Sequence, residues 1–154
     1  MRALVICAAL ALSACSVPQP SRPNRTAPAR PALAAIDAFA TGYINWTAAT
    51  VTARMRDLAR ISVGQARSSL LLLAAQTEQD YELQQGGVAN AGTVESVAPL
   101  RGSPGRYVVV TREQTTASNT TAYRGLLPAW HIALATVTRL ASGRWAVSSW
   151  QPEN

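Results

Sequence analysis

The chain has 154 residues, and its formal net charge of +6 comes from 14 basic residues against eight acids, with one histidine. That length suits one domain with a single core, and with Cys7 and Cys15 the only cysteines, a disulfide framework and a cysteine-rich metal site are excluded. Every base is arginine, and Arg2, Arg22, Arg25 and Arg30 precede the region expected to fold, where ten arginines face eight acids; a nucleic-acid partner is therefore not expected.

The opening MRALVICAALALSAC has the form of a secretory signal: Arg2, an apolar run from Ala3 to Leu12, then the small residues Ser13 and Ala14. The run is far short of the roughly 20 apolar residues that a membrane-spanning helix needs. The stretch Leu12-Ser13-Ala14-Cys15 resembles the lipobox of bacterial lipoproteins. The resemblance implies that residues 1–14 are removed by cleavage after Ala14. Cys15 is then acylated and fastens the chain to the extracytoplasmic face of the cell membrane. Residues 15–31 carry prolines at 18, 20, 23, 28 and 31 among serine, arginine and asparagine, a composition that makes an extended spacer rather than a fold. Arginines beside a lipid anchor favour anionic headgroups.

The folded domain is expected over 32–154, with Pro31 placed for a helix start. Leu33, Ile36, Phe39, Ala40, Tyr43 and Ile44 recur at helical spacing in ALAAIDAFATGYINW. A second helix, VTARMRDLARIS, is capped by Thr50 or Thr47 and buries Val51, Met55, Leu58 and Ile61. Ser62 is expected to cap a third helix, with Gln65 in the capping-box position; it ends at Gly86-Gly87. The pattern then changes to strands and turns: a strand over Gly92–Leu100, the turn RGSPG, a β-branched run RYVVVTREQTTA and the turn-like SNTT. AWHIALATVTRLA alternates Trp130, Ile132 and Leu134 with His131, Ala133 and Ala135. Ser142-Gly143 closes a hairpin onto RWAVSSWQPE, which Pro152 is expected to stop. The fold class is α+β, three N-terminal helices packed on a curved four-stranded antiparallel sheet.

That order, with AFATGYINW in the first helix, RMRDLARIS in the second and GRWAVSSWQPE at the C-terminus, resembles the nuclear transport factor 2-like superfamily. More narrowly, it is similar to TcpC-type conjugative transfer proteins and to the bitopic scaffold subunit of type IV secretion systems. The resemblance implies a cone-shaped protein–protein scaffold without catalysis. Its expected partners are the membrane, through the anchor, and other envelope, secretion or conjugation proteins, with self-association open.

For a site, the alternative to a scaffold is a small-molecule-binding or isomerase- or dehydratase-like member using the cone. Tyr43, Tyr107, Glu113, Tyr123 and His131 are its candidate lining, and such chemistry needs a general base and an oxyanion donor to converge there. His131 has neither the neighbours of a metal ligand nor those of a triad, so no enzyme, metal or cofactor is expected. Arg54, Arg56, Arg60 and Arg67 are the candidate interaction surface, while Glu78, Asp80 and Glu82 read as a solvated helix end. Trp145 and Trp150 differ in parity and in a regular strand face opposite sides; Trp150 is taken as the exposed one, an anchor for a partner. The glycosylation-like triplets NWT and NTT are taken as chance.

Overall fold

A computed structural model describes residues 30–153; Ala14, Cys15 and most of the spacer lie outside them. The first helix, α1 (Arg30–Ile44), carries Pro31 in its first turn and buries Ala32, Ile36, Phe39, Ala40 and Ile44 along one stripe. Asn45 ends it. Its amide Nδ2 donates to Thr41 O at 2.9 Å and to Gly92 O at 3.1 Å, and its Oδ1 accepts from Gly92 N at 3.0 Å. The side chain thus closes the helix and imitates one ladder rung on the neighbouring strand.

The chain then makes a two-residue strand, β1 (Trp46–Thr47), before α2 (Val51–Ile61) and α3 (Gly64–Gln79). The buried stripe of α2 is Val51, Met55, Leu58 and Ala59; Ile61, expected inside, is 45% exposed because it sits at the helix's last position, outside that stripe. Ser62 does not cap α3. Its hydroxyl donates backward to Leu58 O at 2.8 Å, and the residue preceding α3 is Val63. Gln65 is likewise diverted from a capping box, accepting from Trp150 N through Oε1 at 3.1 Å.

The long third helix of the sequence reading is two helices. Asp80 leaves helical geometry at φ −81° and ψ 91°, and its side chain accepts from Leu83 N at 2.8 Å, starting α4 (Tyr81–Gly86). An aspartate that caps competes with the helix that contains it, which explains the break. Gly87 ends α4 in the left-handed region at φ 60°, where only glycine is unstrained.

Four longer strands follow: β2 (Val88–Pro99), β3 (Arg106–Ala117), β4 (Ala129–Arg139) and β5 (Trp145–Glu153). With β1 they form one antiparallel sheet in the order β1-β2-β3-β4-β5. The described fold therefore has four helices and five strands rather than three and four, the additions being the short β1 and α4. β2 also begins four residues before the expected Gly92, where β1 and β3 supply partners. Pro152 does not stop β5; it pairs with Ala133, and proline is tolerated because β5 is an edge strand.

Two register shifts curl the sheet, one at Glu95 between Val94 and Ser96, the other at Ser148 opposite Thr136 and Val137. The second overturns the parity argument for tryptophan. The extra residue at Ser148 moves Trp150 to the same side as Val147, and Trp150 is buried at 7% exposure. Trp145 packs on the core from the edge. The core lies between the helices and the inner sheet face, where Val109, Ala133, Ala135 and Val137 meet Ile36, Phe39, Met55 and Leu70. No described helix is long and apolar enough to cross a membrane.

Candidate functional site

At one end of the sheet, where β2 and β4 start, the helices leave an open cleft of two adjoining hollows of about 700 and 860 Å³. They share Trp46, Asp80, Leu83 and Thr115. The last turn of α1 delivers Tyr43, β1 delivers Trp46, and the α3–α4 break delivers Asp80. Asn90, Glu113 and His131 come from the inner faces of β2, β3 and β4.

A polar network organises the first hollow. Asn90 Nδ2 donates to Ile44 O and to Glu113 Oε2, both at 2.7 Å. Thr111 Oγ1 donates to Glu113 Oε1 at 2.5 Å, and Thr115 Oγ1 donates to Asn90 Oδ1 at 3.1 Å. Asn90 and Thr111 are buried, so each is obliged to find such partners. Both carboxylate oxygens of Glu113 are thereby engaged, and the hydrogen bond from Thr111 is charge-assisted.

Tyr43 forms the wall between this network and the core. Its ring stacks on Phe39 with centroids 6.1 Å apart and lies 5.4 Å from Trp150. Burial raises the Tyr43 phenol above its ordinary value of 10, and the Glu113 charge adds to the rise; the nearby Trp150 indole N–H works against both. Among the described residues Trp150 Nε1 is a buried donor with no hydrogen-bond partner. The fold therefore holds Tyr43 protonated where the unfolded chain begins to ionise. The stability this confers is complete below about pH 10 and is lost as pH rises through the folded state's higher value. Tyr43→Phe is expected to flatten the fall in urea midpoint as pH rises above about 10; an unchanged slope would show that Tyr43 does not cause it.

Among the described residues no arginine lines either hollow, whereas Asp80, Glu82 and Glu113 all border the cleft. It is thus an acidic, aromatic-walled recess on a chain whose net charge is positive. The sequence-predicted lining divides. Tyr43, Glu113 and His131 share one hollow, with His131 at its exposed mouth, and Tyr123 borders the other. Tyr107 does not reach the cleft. It is 6% exposed in the core, paired with Pro99 and Ala135 at the far end of the sheet. Sequence reasoning missed Asn90, Thr111, Thr115 and Trp46, because small polar residues on a strand carry no signal until the register aligns them. Among the described residues no group of three or more His, Cys, Asp or Glu is arranged to hold a metal ion.

The arginine surface on α2 and α3 is partly neutralised. Arg56 pairs with Glu78 at 2.6 Å and Arg60 pairs with Asp57, all exposed, while Arg54 and Arg67 have no ion pair among the described residues. Exposed pairs contribute little, but they leave less charge for a partner. Trp150, taken for the exposed anchor, is core; Trp130 is 63% exposed instead. The alternation along β4 was legible, but its inner face turned out to be the one with alanines. Trp130, Ile132 and Leu134 lie on the outer face, beside Val110 and Val108 of β3. Gln114 Nε2 donates to Leu126 O at 3.0 Å near the same face, and Leu126 and Leu127 are 50% and 83% exposed.

No protein-family model matches the sequence, and the curated proteins give no match. Solved structures do match. VirB8 from Agrobacterium tumefaciens aligns with a TM-score of 0.58 at 12% sequence identity, over 80% of this chain and 90% of that one. Identity that low speaks to architecture alone: the α+β class expected from the order of helices and strands, with helices on a curled antiparallel sheet, is an arrangement shared with VirB8.

Proposed function

We propose that this protein is a lipid-anchored, extracytoplasmic scaffold that binds other envelope proteins in a secretion or conjugation machine, without catalysis. The observation that carries the reading is the fold shared with VirB8, a type IV secretion subunit. The lipobox-like Leu12-Ser13-Ala14-Cys15 supports the anchor. The outer sheet face of Trp130, Ile132 and Leu134 supports binding, since contiguous exposed apolar surface marks interaction sites. A photo-crosslinking residue at Trp130, in cells carrying the full chain, is expected to trap an envelope subunit of a secretion or conjugation apparatus. Trp130→Ser is expected to abolish substrate transfer without moving the melting temperature. Crosslinks confined to abundant, unrelated envelope proteins would sink the reading.

The cleft favours a second reading, a small-molecule site. Its acidic border and the aromatic rings of Trp46 and Tyr43 suit an organic cation. Saturable binding of a simple diamine, lost in Glu113→Gln, would move the function there.

A further inference from the structure

The arginines of the folded part are unevenly placed. β2 and β4 run away from the cleft and end at two turns, Leu100–Gly105 and Leu140–Arg144. The turns are adjacent: Val137 N donates to Gly105 O at 2.9 Å. Arg101 and Arg106 flank the first, Arg139 and Arg144 the second, and the Arg139 guanidinium folds back over Gly143. The start of α1 lies at this end too. Ile44 O, at the helix's C-terminus, accepts from Asn90 near the start of β2, whereas Leu33 and Asp37 lie beside Val94–Val97 in its second half. Arg30 extends one turn further, toward the turns.

Arg30, Arg101, Arg139 and Arg144 are exposed and Arg106 is half-buried. None of the five makes an ion pair among the described residues; the two ion pairs there belong to Arg56 and Arg60. The acids lie elsewhere. Asp80, Glu82 and Glu113 border the cleft, Glu153 pairs with Ile132 near the start of β4, and Asp37 and Glu95 lie between the two ends. Arg112, paired with Trp130, and Arg124, next to Tyr123, also lie at the cleft end, where Asp80, Glu82, Glu113 and Glu153 outnumber them. The domain is therefore polarised along the strands, with five arginines gathered at the turn end and an excess of carboxylate at the cleft end.

We propose that the turn end is a docking surface for an anionic lipid bilayer, which holds the cleft and Trp130 outward. This rests on the reading of the chain as membrane-anchored. The described chain begins at this end, and the preceding sequence supplies Arg22, Arg25 and, at 15, the cysteine of the lipobox. Guanidinium forks match phosphate headgroups. Single-stranded nucleic acid fits less well because its readers interleave stacking aromatics with basic groups; Trp130 is at the other end and Trp145 packs on the core. Each arginine near an anionic surface strengthens binding about fivefold.

The test uses the full acylated chain in phosphatidylcholine vesicles with or without phosphatidylglycerol. Once Cys15 is acylated and Cys7 removed, a spin label at S142C or S118C is the single thiol adduct; Ser142 is at the turn end and Ser118 at the cleft end, both exposed. With phosphatidylglycerol, the label at 142 is expected to lose at least about threefold of its accessibility to a water-soluble relaxation agent, while the label at 118 is unchanged. Arg101→Glu, Arg139→Glu and Arg144→Glu together are expected to restore it; the corresponding glutamine triple serves if the glutamates unfold the domain. Equal accessibility at both positions in chain that stays bound would overturn docking and leave the anchor standing. Release of the unsubstituted chain by a high-salt wash would overturn the anchor reading, and docking with it. Protection of 142 by added RNA but not by anionic vesicles would overturn docking in favour of nucleic acid.

Discussion

Phe39→Ala is expected to lower stability by about 3–5 kcal/mol, the range for removing a buried aromatic ring. Phe39 is 1% exposed, the largest of the fully buried side chains. Its ring lies 5.1 Å from Trp150 and stacks on Tyr43, so it joins α1 to β5 and backs the cleft wall in one contact. Deleting it leaves a void that α1 cannot close without dragging Tyr43 out of place. Small domains have only about 5–15 kcal/mol in total, so the variant stands near the edge of folding. Urea denaturation of the chain checks the value. Phe39→Leu keeps most of the volume and is expected to lose roughly half as much; equal losses would mean that the ring's shape matters more than its volume.

Gly92→Val is expected to cost about 3 kcal/mol and to disturb the cleft network as well. A Cβ at this position would lie 2.6 Å from Arg112 O and 2.9 Å from Glu113 Cγ. The first obstacle is backbone, so β2 must move away from β3 at the rung that pairs Gly92 with Glu113. That rung also carries the two hydrogen bonds that Asn45 makes with β2, and two residues away Asn90 holds Glu113. Ala91→Val, one residue back on the exposed outer face, is the control and is expected to stay within about 0.5 kcal/mol. Urea midpoints of the two variants measure the contrast, and loss of the Asn90 side-chain amide signals from their native positions in Gly92→Val reports the network. Similar midpoints for both variants would refute the close-approach argument.

Much of the fold was legible because its cues are local. The helical stripe of Ile36, Phe39, Ala40 and Ile44, the β-branched run before Thr111, and the glycines at 86, 87 and 143 act through their own neighbourhoods. Alternation along β4 was equally plain. Which of its faces turned inward was not, because both carry apolar residues and only the helices' shape selects the alanine face. Close helix packing favours Ala133 and Ala135, and Trp130 goes outside.

The candidate site was legible only as residue types. Tyr43, Glu113 and His131 lie on three elements, α1, β3 and β4, the first separated from the second by five others, and their meeting depends on the β2–β3 and β3–β4 registers. Trp150 shows the limit most clearly. Its parity in a regular strand puts it opposite Trp145, but one extra residue at Ser148 reverses that parity, and no local pattern marks where a bulge falls. Periodicity, capping and charge sign act within a few residues, so the order of elements, the lipobox-like cysteine and the excess of arginine can be read from the chain alone. Bulges, face selection and the gathering of five arginines at one end of the sheet arise between residues far apart in sequence. They exist only once the sheet has closed against the helices.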